Sequence, residues 1–349
     1  MNCKTVRLPA EWEAQQAVMI AWPHALTDWN YMLSQVVECY CEMARAIARF
    51  TPLVIVTPEP DEVRRLLADV PPERITFLKA DTNDTWTRDY GPISTVGSDG
   101  EVFINNFKFN AWGLKFAANL DNLVTRRMYD AGLLGGSYRN RLGFVLEGGS
   151  IESDGKGVVL TTSECLLSPN RNGDLSRDEI EQRLRSWLGT EKVLWLDHGA
   201  LEGDDTDSHI DTLARLAPND TILYVCTTPD DPQFDELEAM REQLQQFTTP
   251  DGRPFNLIGL PLPEAIYDPE DNGQRLPATY ANYLVTNKAV IMPTYGQPRA
   301  DFLASQILRI AYPEHEIVTV DCRALIRQHG SLHCATMQIL KPALKNQLK

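Results

Sequence analysis

Apolar residues recur at steps of three and four between residues 28 and 50 (Leu33, Val36, Val37, Tyr40, Ala44, Ile47), which predicts an amphipathic helix capped by Asp28. The unbroken apolar run Leu53-Val54-Ile55-Val56 then predicts a strand. A second helix is expected over 177–188, because Ser176 and Glu179 have capping-box spacing and Gly189 supplies the stop, and strand Val193-Leu194-Trp195-Leu196 follows it. Helical patterns near 235–246 and 301–311 continue this alternation of helix and strand, so the architecture is α/β.

Short strand pairs broken by turn residues recur along the chain. They lie at 92–107 around Gly97-Ser98-Asp99-Gly100, at 149–162 around Asp154-Gly155-Lys156-Gly157, at 210–226 around Pro218-Asn219-Asp220, and at 279–293 around Thr286-Asn287-Lys288. A helical stretch follows each. Strand Ala17–Trp22 has no hairpin partner before it and strand Leu332–Leu340 has none after it. Pairing the two would close a ring of five units, and 349 residues suit a single domain over 1–349.

Charge narrows the class of partner. With 48 acidic and 33 basic side chains the net charge is −15, a field that repels nucleic acid and favours a small cation, although such a surface also serves solubility. No apolar run spans a bilayer and no basic, then hydrophobic, leader opens the chain, so a cytoplasmic location with no membrane partner is expected. Seven scattered cysteines without a Cys-x-x-Cys pair point to reduced thiols. A homo-oligomer is compatible with all of this.

The polar residues that stand out sit where the hairpins begin. Asp89 lies in Trp86-Thr87-Arg88-Asp89-Tyr90-Gly91-Pro92, a run that could equally be a loop with a surface ion pair. Glu147 precedes Gly148-Gly149, and paired glycines allow close backbone approach, here or at a plain bulge. His209 and Asp211, two apart, would share one face of a strand, within a carboxylate-rich stretch from Asp204. Cys334 follows Gly330-Ser331-Leu332-His333, and a thiolate becomes a strong nucleophile when a cation lowers its pKa. A metal site is not expected, because hard cations need more carboxylates at matched positions and the spaced pair His329 and His333 has no carboxylate motif beside it.

The runs Ala10–Glu13, Ala21–Pro23, Trp86–Pro92, Phe109–Gly113, Glu147–Gly155, Asn170–Asn172, His209–Asp211 and His333-Cys334 resemble agmatine deiminases of the bacterial peptidyl-arginine-deiminase-like family, over nearly the whole chain. The resemblance implies a five-bladed α/β propeller, in agreement with the five units counted above, and no cofactor. It also implies Cys334 as nucleophile, His209 as proton donor and base, Asp89 and Asp211 as the guanidinium clamp, and Glu147 as a carboxylate near the imidazole or substrate. Several positions depart from the family pattern. Gln328–Leu332 replaces a glycine-rich stretch with Asn, Glu152 stands for His, Ser208 for Gly, and Leu114 for a second Gly after Trp112-Gly113.

The clamp can be argued from chemistry alone. A guanidinium stays charged and offers planar donors, so two carboxylates are its natural partners. Agmatine suits an acidic protein, with Trp86 or Trp112 covering the aliphatic tail. The alternatives are peptidyl-arginine deimination, amidinotransfer, a cysteine protease that would not need the carboxylate pair, and a non-catalytic module in which Cys334 only packs.

Overall fold

The computed structural model describes residues 6–268 and 273–341. Cys3 lies outside the described residues. Among those residues the strands form five small sheets. Four sheets have an N-terminal antiparallel pair whose second strand runs on through helix to a parallel third strand. The pairs are Ile93–Gly97 with Val102–Lys108, Glu152–Ser153 with Val158–Thr162, Ala214–Ala217 with Thr221–Cys226, and Leu284–Val285 with Ala289–Thr294. The third strands are Ser137–Val145, Lys192–Leu196, Asn256–Pro261 and Glu316–Asp321. In the fifth sheet the chain ends meet. Met337–Leu340 pairs antiparallel with Gln15–Ala21, which runs parallel to Leu53–Thr57 and through it to Ile75–Lys79.

The middle strands are buried on both faces, so they read as continuous apolar runs: Leu53–Thr57 and Val158–Thr162 have no exposed residue. Helix Leu33–Ala48 turns Val36, Tyr40, Ala44 and Ile47 inward, as its periodicity predicts. Asp28 does not cap it; Asp28 instead starts a 3-10 turn, Asp28–Met32, ahead of the helix. Helix Arg177–Leu188 carries the predicted capping box, and Gly189 ends it in the left-handed conformation at φ 71°. The other two helices expected from the sequence are present as Phe234–Leu244 and Pro298–Ala311. No helix among the described residues is long and apolar enough to cross a membrane.

Two local expectations fail. His209 and Asp211 are not on a strand: Ile210–Thr212 is a 3-10 turn with His209 at its start, and the strand begins only at Ala214. Cys334 likewise precedes its strand, which starts at Met337. Both polar groups need an irregular backbone to converge, and period-two alternation cannot provide that.

Candidate active site

The strands Ile93–Gly97, Glu152–Ser153, Ala214–Ala217, Leu284–Val285 and Met337–Leu340, one in each sheet, are each preceded by a buried polar residue. Asp89 stands before Ile93, Glu147 before Glu152, Asp211 before Ala214, Asn282 before Leu284 and Cys334 before Met337. Four of these five are candidates from the sequence. Asn282 is not, although its place at the head of the fourth hairpin is the same as theirs, and that shared position is the signal that could have found it.

Asp89 sits in the helical turn Thr87–Tyr90, and its neighbour Arg88 forms no surface pair: Arg88 is buried, donates to Gln338 Oε1 at 2.6 Å and lies 3.8 Å from Glu11. Asp89 Oδ2 accepts from Trp112 Nε1 at 2.9 Å and Oδ1 accepts from Gly149 N at 3.0 Å. The indole reaches it from a bent loop in which Ala111, Trp112 and Leu114 all have positive φ, a conformation that costs a non-glycine residue about 1–2 kcal/mol. Gly149 has no substitute here, since a Cβ on it would lie 2.6 Å from His209 Nδ1 and 2.8 Å from Asp89 Oδ1. Burial pushes the Asp89 carboxyl up to about 6, with Glu147 and Asp211 adding to the rise and His209 opposing it.

His209 is held from both sides of its ring. Nε2 donates to Glu147 Oε2 at 2.9 Å, while Nδ1 faces Asp89 Oδ1 at 3.7 Å. Burial disfavours the imidazolium, but Asp89, Cys165 and Glu147 outweigh it and hold the pKa well above the ordinary value. Glu147 in turn accepts from Arg171 Nε at 2.8 Å. Burial alone would raise the Glu147 pKa; the bonds from His209 and Arg171 bring it below the usual range. The acidic stretch from Asp204 does not surround the imidazole as its spacing suggests: Asp207 pairs with Lys115 and Arg171, and Asp204 accepts from Thr206 and Ser208.

Asp211 Oδ2 accepts from His333 Nδ1 at 2.7 Å and lies 3.9 Å from Cys334 Sγ. Burial raises the Asp211 carboxyl, yet His333, His209 and Arg215 together more than offset it and lower the pKa. Its other oxygen, Oδ1, is buried without a hydrogen-bond donor from the described residues, as is Glu147 Oε1. His333, which has no carboxylate near it in sequence, is thus clasped by two distant ones, for its Nε2 lies 2.8 Å from Glu11 Oε2. Asn282 Nδ2 lies 3.2 Å from Cys334 Sγ. Burial, then Asp211 and Asp89, drive the Cys334 thiol well above its ordinary pKa.

A cleft of about 250 Å³ opens on this group, lined by Cys334, Asp89, Trp86, Trp112, Tyr31 and Phe116 together with the carboxylates Asp28, Asp84 and Asp205. His209, Asp211 and Glu147 are not in its walls. Trp112 therefore orients a carboxylate as well as lining the cleft, which its sequence context did not reveal. Burial raises Asp84 to about 8, so this acid too is poised to take its charge only beside a cation.

Two acid clusters have the spacing of a metal site, Glu147 with Cys165 and His209, and Glu11 with Glu152 and His333. Neither fits an ion well, because each already grips a guanidinium: Arg171 Nε lies 2.8 Å from Glu147 Oε2, and Arg215 Nη2 2.8 Å from Glu11 Oε2. A divalent cation at either place would sit against an arginine.

The chain is similar to known proteins over nearly its whole length. A Porphyromonas gingivalis protein provisionally named an arginine deiminase is 47% identical and superposes with a TM-score of 0.90 over 97% of this chain and 98% of its own. An agmatine deiminase from C. jejuni with substrate bound is 36% identical, with a TM-score of 0.90 over 98% of both chains. A Shewanella sp. (strain MR-4) protein provisionally named an agmatine deiminase is 35% identical over 95% of this chain and 93% of its own. A dimethylarginine dimethylaminohydrolase at 13% identity, TM-score 0.53, shares the fold. The sequence profile of the Porphyromonas-type peptidyl-arginine deiminases matches residues 7–339, and the chain belongs to that family.

Proposed function

We propose that this protein is an agmatine deiminase, converting agmatine and water to N-carbamoylputrescine and ammonia. The observation that carries the reading is the Cys334 thiol set 3.9 Å from Asp211 beneath a cleft that Asp89 also lines. Those carboxylates oppose the thiolate, so only a cation brought between them activates it, and a guanidinium supplies both that charge and planar donors for two acceptors.

The steps follow from the residues. Asp89 and Asp211 take opposite edges of the guanidinium, Asp211 through its undonated Oδ1. Once the guanidinium is bound, the Cys334 thiol gives its proton to solvent through the cleft it lines. Sγ then attacks the central carbon, forming a C–S bond as the C=N π pair moves onto nitrogen. The tetrahedral adduct expels an amino group as ammonia, protonated by His209 through Nδ1, the ring nitrogen on the Asp89 side. Water, losing its proton to His209, adds to the resulting thiouronium, and collapse returns the Cys334 sulfur and leaves the ureido product. Glu147 holds the imidazole and keeps it charged. The carboxylates of Asp28, Asp84 and Asp205 in the cleft wall suit a substrate with a second positive charge. Trp86 and Trp112 offer apolar surface to its methylenes.

The proposal includes a single catalytic domain over 1–349 in which the five sheets stand round one axis as a five-bladed α/β propeller. The common plan of the sheets and the pairing of the two chain ends support it. A cytoplasmic location is part of the same reading, supported by six free cysteines among the described residues. Ammonia release from agmatine, arginine and a blocked arginyl peptide, with ureido product detection, tests the function. Preferred turnover of agmatine is expected; preference for the peptide would make the protein a peptidyl-arginine deiminase.

A further inference from the structure

Arg171 is buried, with only 1% of its side chain exposed, and takes no part in the steps above. It spends its fork of donors in three directions. Nε donates to Glu147 Oε2 at 2.8 Å, Nη2 to Thr206 O at 2.7 Å, and Nη1 to Asp207 Oδ2. The first contact fixes the carboxylate that holds the ring of His209. The other two pin the backbone immediately before His209, where Asp207 and Ser208 stand at φ 63° and 59°, a left-handed pair in which neither residue is glycine. That turn also ties down His209 itself, whose N donates to Thr206 Oγ1 at 3.1 Å. From the solvent side Lys115 Nζ donates to Asp207 Oδ1 at 2.9 Å.

One guanidinium therefore reaches the same imidazole by two routes, through its ring partner and through its backbone. We propose that Arg171 is a positioning residue for proton transfer, aiming His209 Nδ1 at the reacting nitrogen. This rests on the deiminase reading. An ammonium does not have the geometry for it, since it is a point donor and the three acceptors are divided between Glu147 and the turn at Thr206 and Asp207. The substrate clamp is spared, because Asp89, Asp211 and Cys334 receive no bond from Arg171.

The test is steady-state agmatine turnover by Arg171→Gln, Arg171→Lys and Asp207→Asn, with kcat expressed per agmatine-binding site counted by calorimetry. A misplaced proton donor costs about 10²-fold, so Arg171→Gln should lose kcat on that order with KM within about threefold of wild type. Arg171→Lys should fall between the two, since its ammonium still faces one carboxylate. Asp207→Asn should lose less than the glutamine variant. A purely structural arginine would lower the number of binding sites and leave kcat per site intact, and that result overturns the proposal. So does a lysine variant no better than glutamine, or a loss confined to KM. If the glutamine variant does not fold, Arg171→Lys decides, with unchanged kcat per site refuting the role. Failure of the deiminase reading is separate: it shows as a wild-type protein that releases no ammonia from agmatine.

Discussion

Two acid pairs lie on either side of His333 and meet opposite fates. Glu11 and Glu152 clamp the chain's own Arg215, whose Nη2 and Nε bond to them while its guanidinium stacks 4.4 Å over the Tyr283 ring. Its Nη1 donates to the carbonyls of Ala281 and Tyr283, and Nη2 also lies 3.1 Å from His333 Nε2. Asp89 and Asp211 form the second pair, and beside them stand a thiol, an imidazole and a cleft. The first pair is neutralised from within: burial would raise Glu11, but His333, Arg215 and Arg88 pull its pKa down. The second has only shared charge, and Asp89 remains at about 6. The same two-carboxylate motif is thus a structural strut where the chain supplies the guanidinium and a binding site where only imidazoles face it.

The largest effect expected from breaking this comparison is at the thiol. Cys334→Ser should lose essentially all turnover and keep agmatine affinity, because the clamp survives and a hydroxyl lacks thiolate nucleophilicity. Single-turnover and binding assays on the same preparation check both halves. Arg215→Met strikes the strut instead: two buried carboxylates lose their partner, which typically costs about 3–5 kcal/mol. Denaturant unfolding should show that loss, and a stability within about 1 kcal/mol of wild type would mean the strut is not what holds Glu11 and Glu152.

Acidity sharpens the contrast. The folded Asp89 pKa of about 6 lies above the ordinary carboxyl value, so the native protein gains proton affinity at this site and stability from Asp89 falls as pH rises toward 6. Guanidinium binding needs the opposite, ionised state. Agmatine kcat/KM should therefore drop as pH falls through about 6, while Glu11, held ionised by His333, Arg215 and Arg88, should keep its bond to Arg215 in that range. The smallest effect is at Leu114, which is exposed and held at φ 72°. Leu114→Gly should raise stability by up to about 1 kcal/mol with activity unchanged, as strain relief exceeds the entropic penalty of glycine. Thermal melting reads it.

How much of this was legible in the sequence depends on the range of the signal. The hairpins and the capping box at Ser176 are written in local pattern and the two chain ends pair as expected, although the strands expected from 210 and 332 begin only at Ala214 and Met337. Asp89, Glu147, His209, Asp211 and Cys334 do converge, because they precede strands in four of the five sheets. The strut was invisible: Arg215 reads as one residue of an apolar strand, and its partners Glu11 and Glu152 lie far off along the chain. Arg171 was quoted only as part of a run. His333 looked partnerless because both its carboxylates are remote. Strain at Trp112 was also hidden, for that residue carries no sequence mark of a left-handed backbone, whereas Ser208 stands where the family has Gly.

The central claim is that Asp89 and Asp211, which face imidazoles and bond no arginine among the described residues, exist to hold an external guanidinium. Calorimetric titration of agmatine into folded wild type, Asp89→Asn and Asp211→Asn tests it most directly. Each exchange removes a buried acceptor facing a cation, a loss of about 3–5 kcal/mol, so each variant should bind at least roughly a hundredfold more weakly. Near-wild-type affinity in both variants would contradict the account.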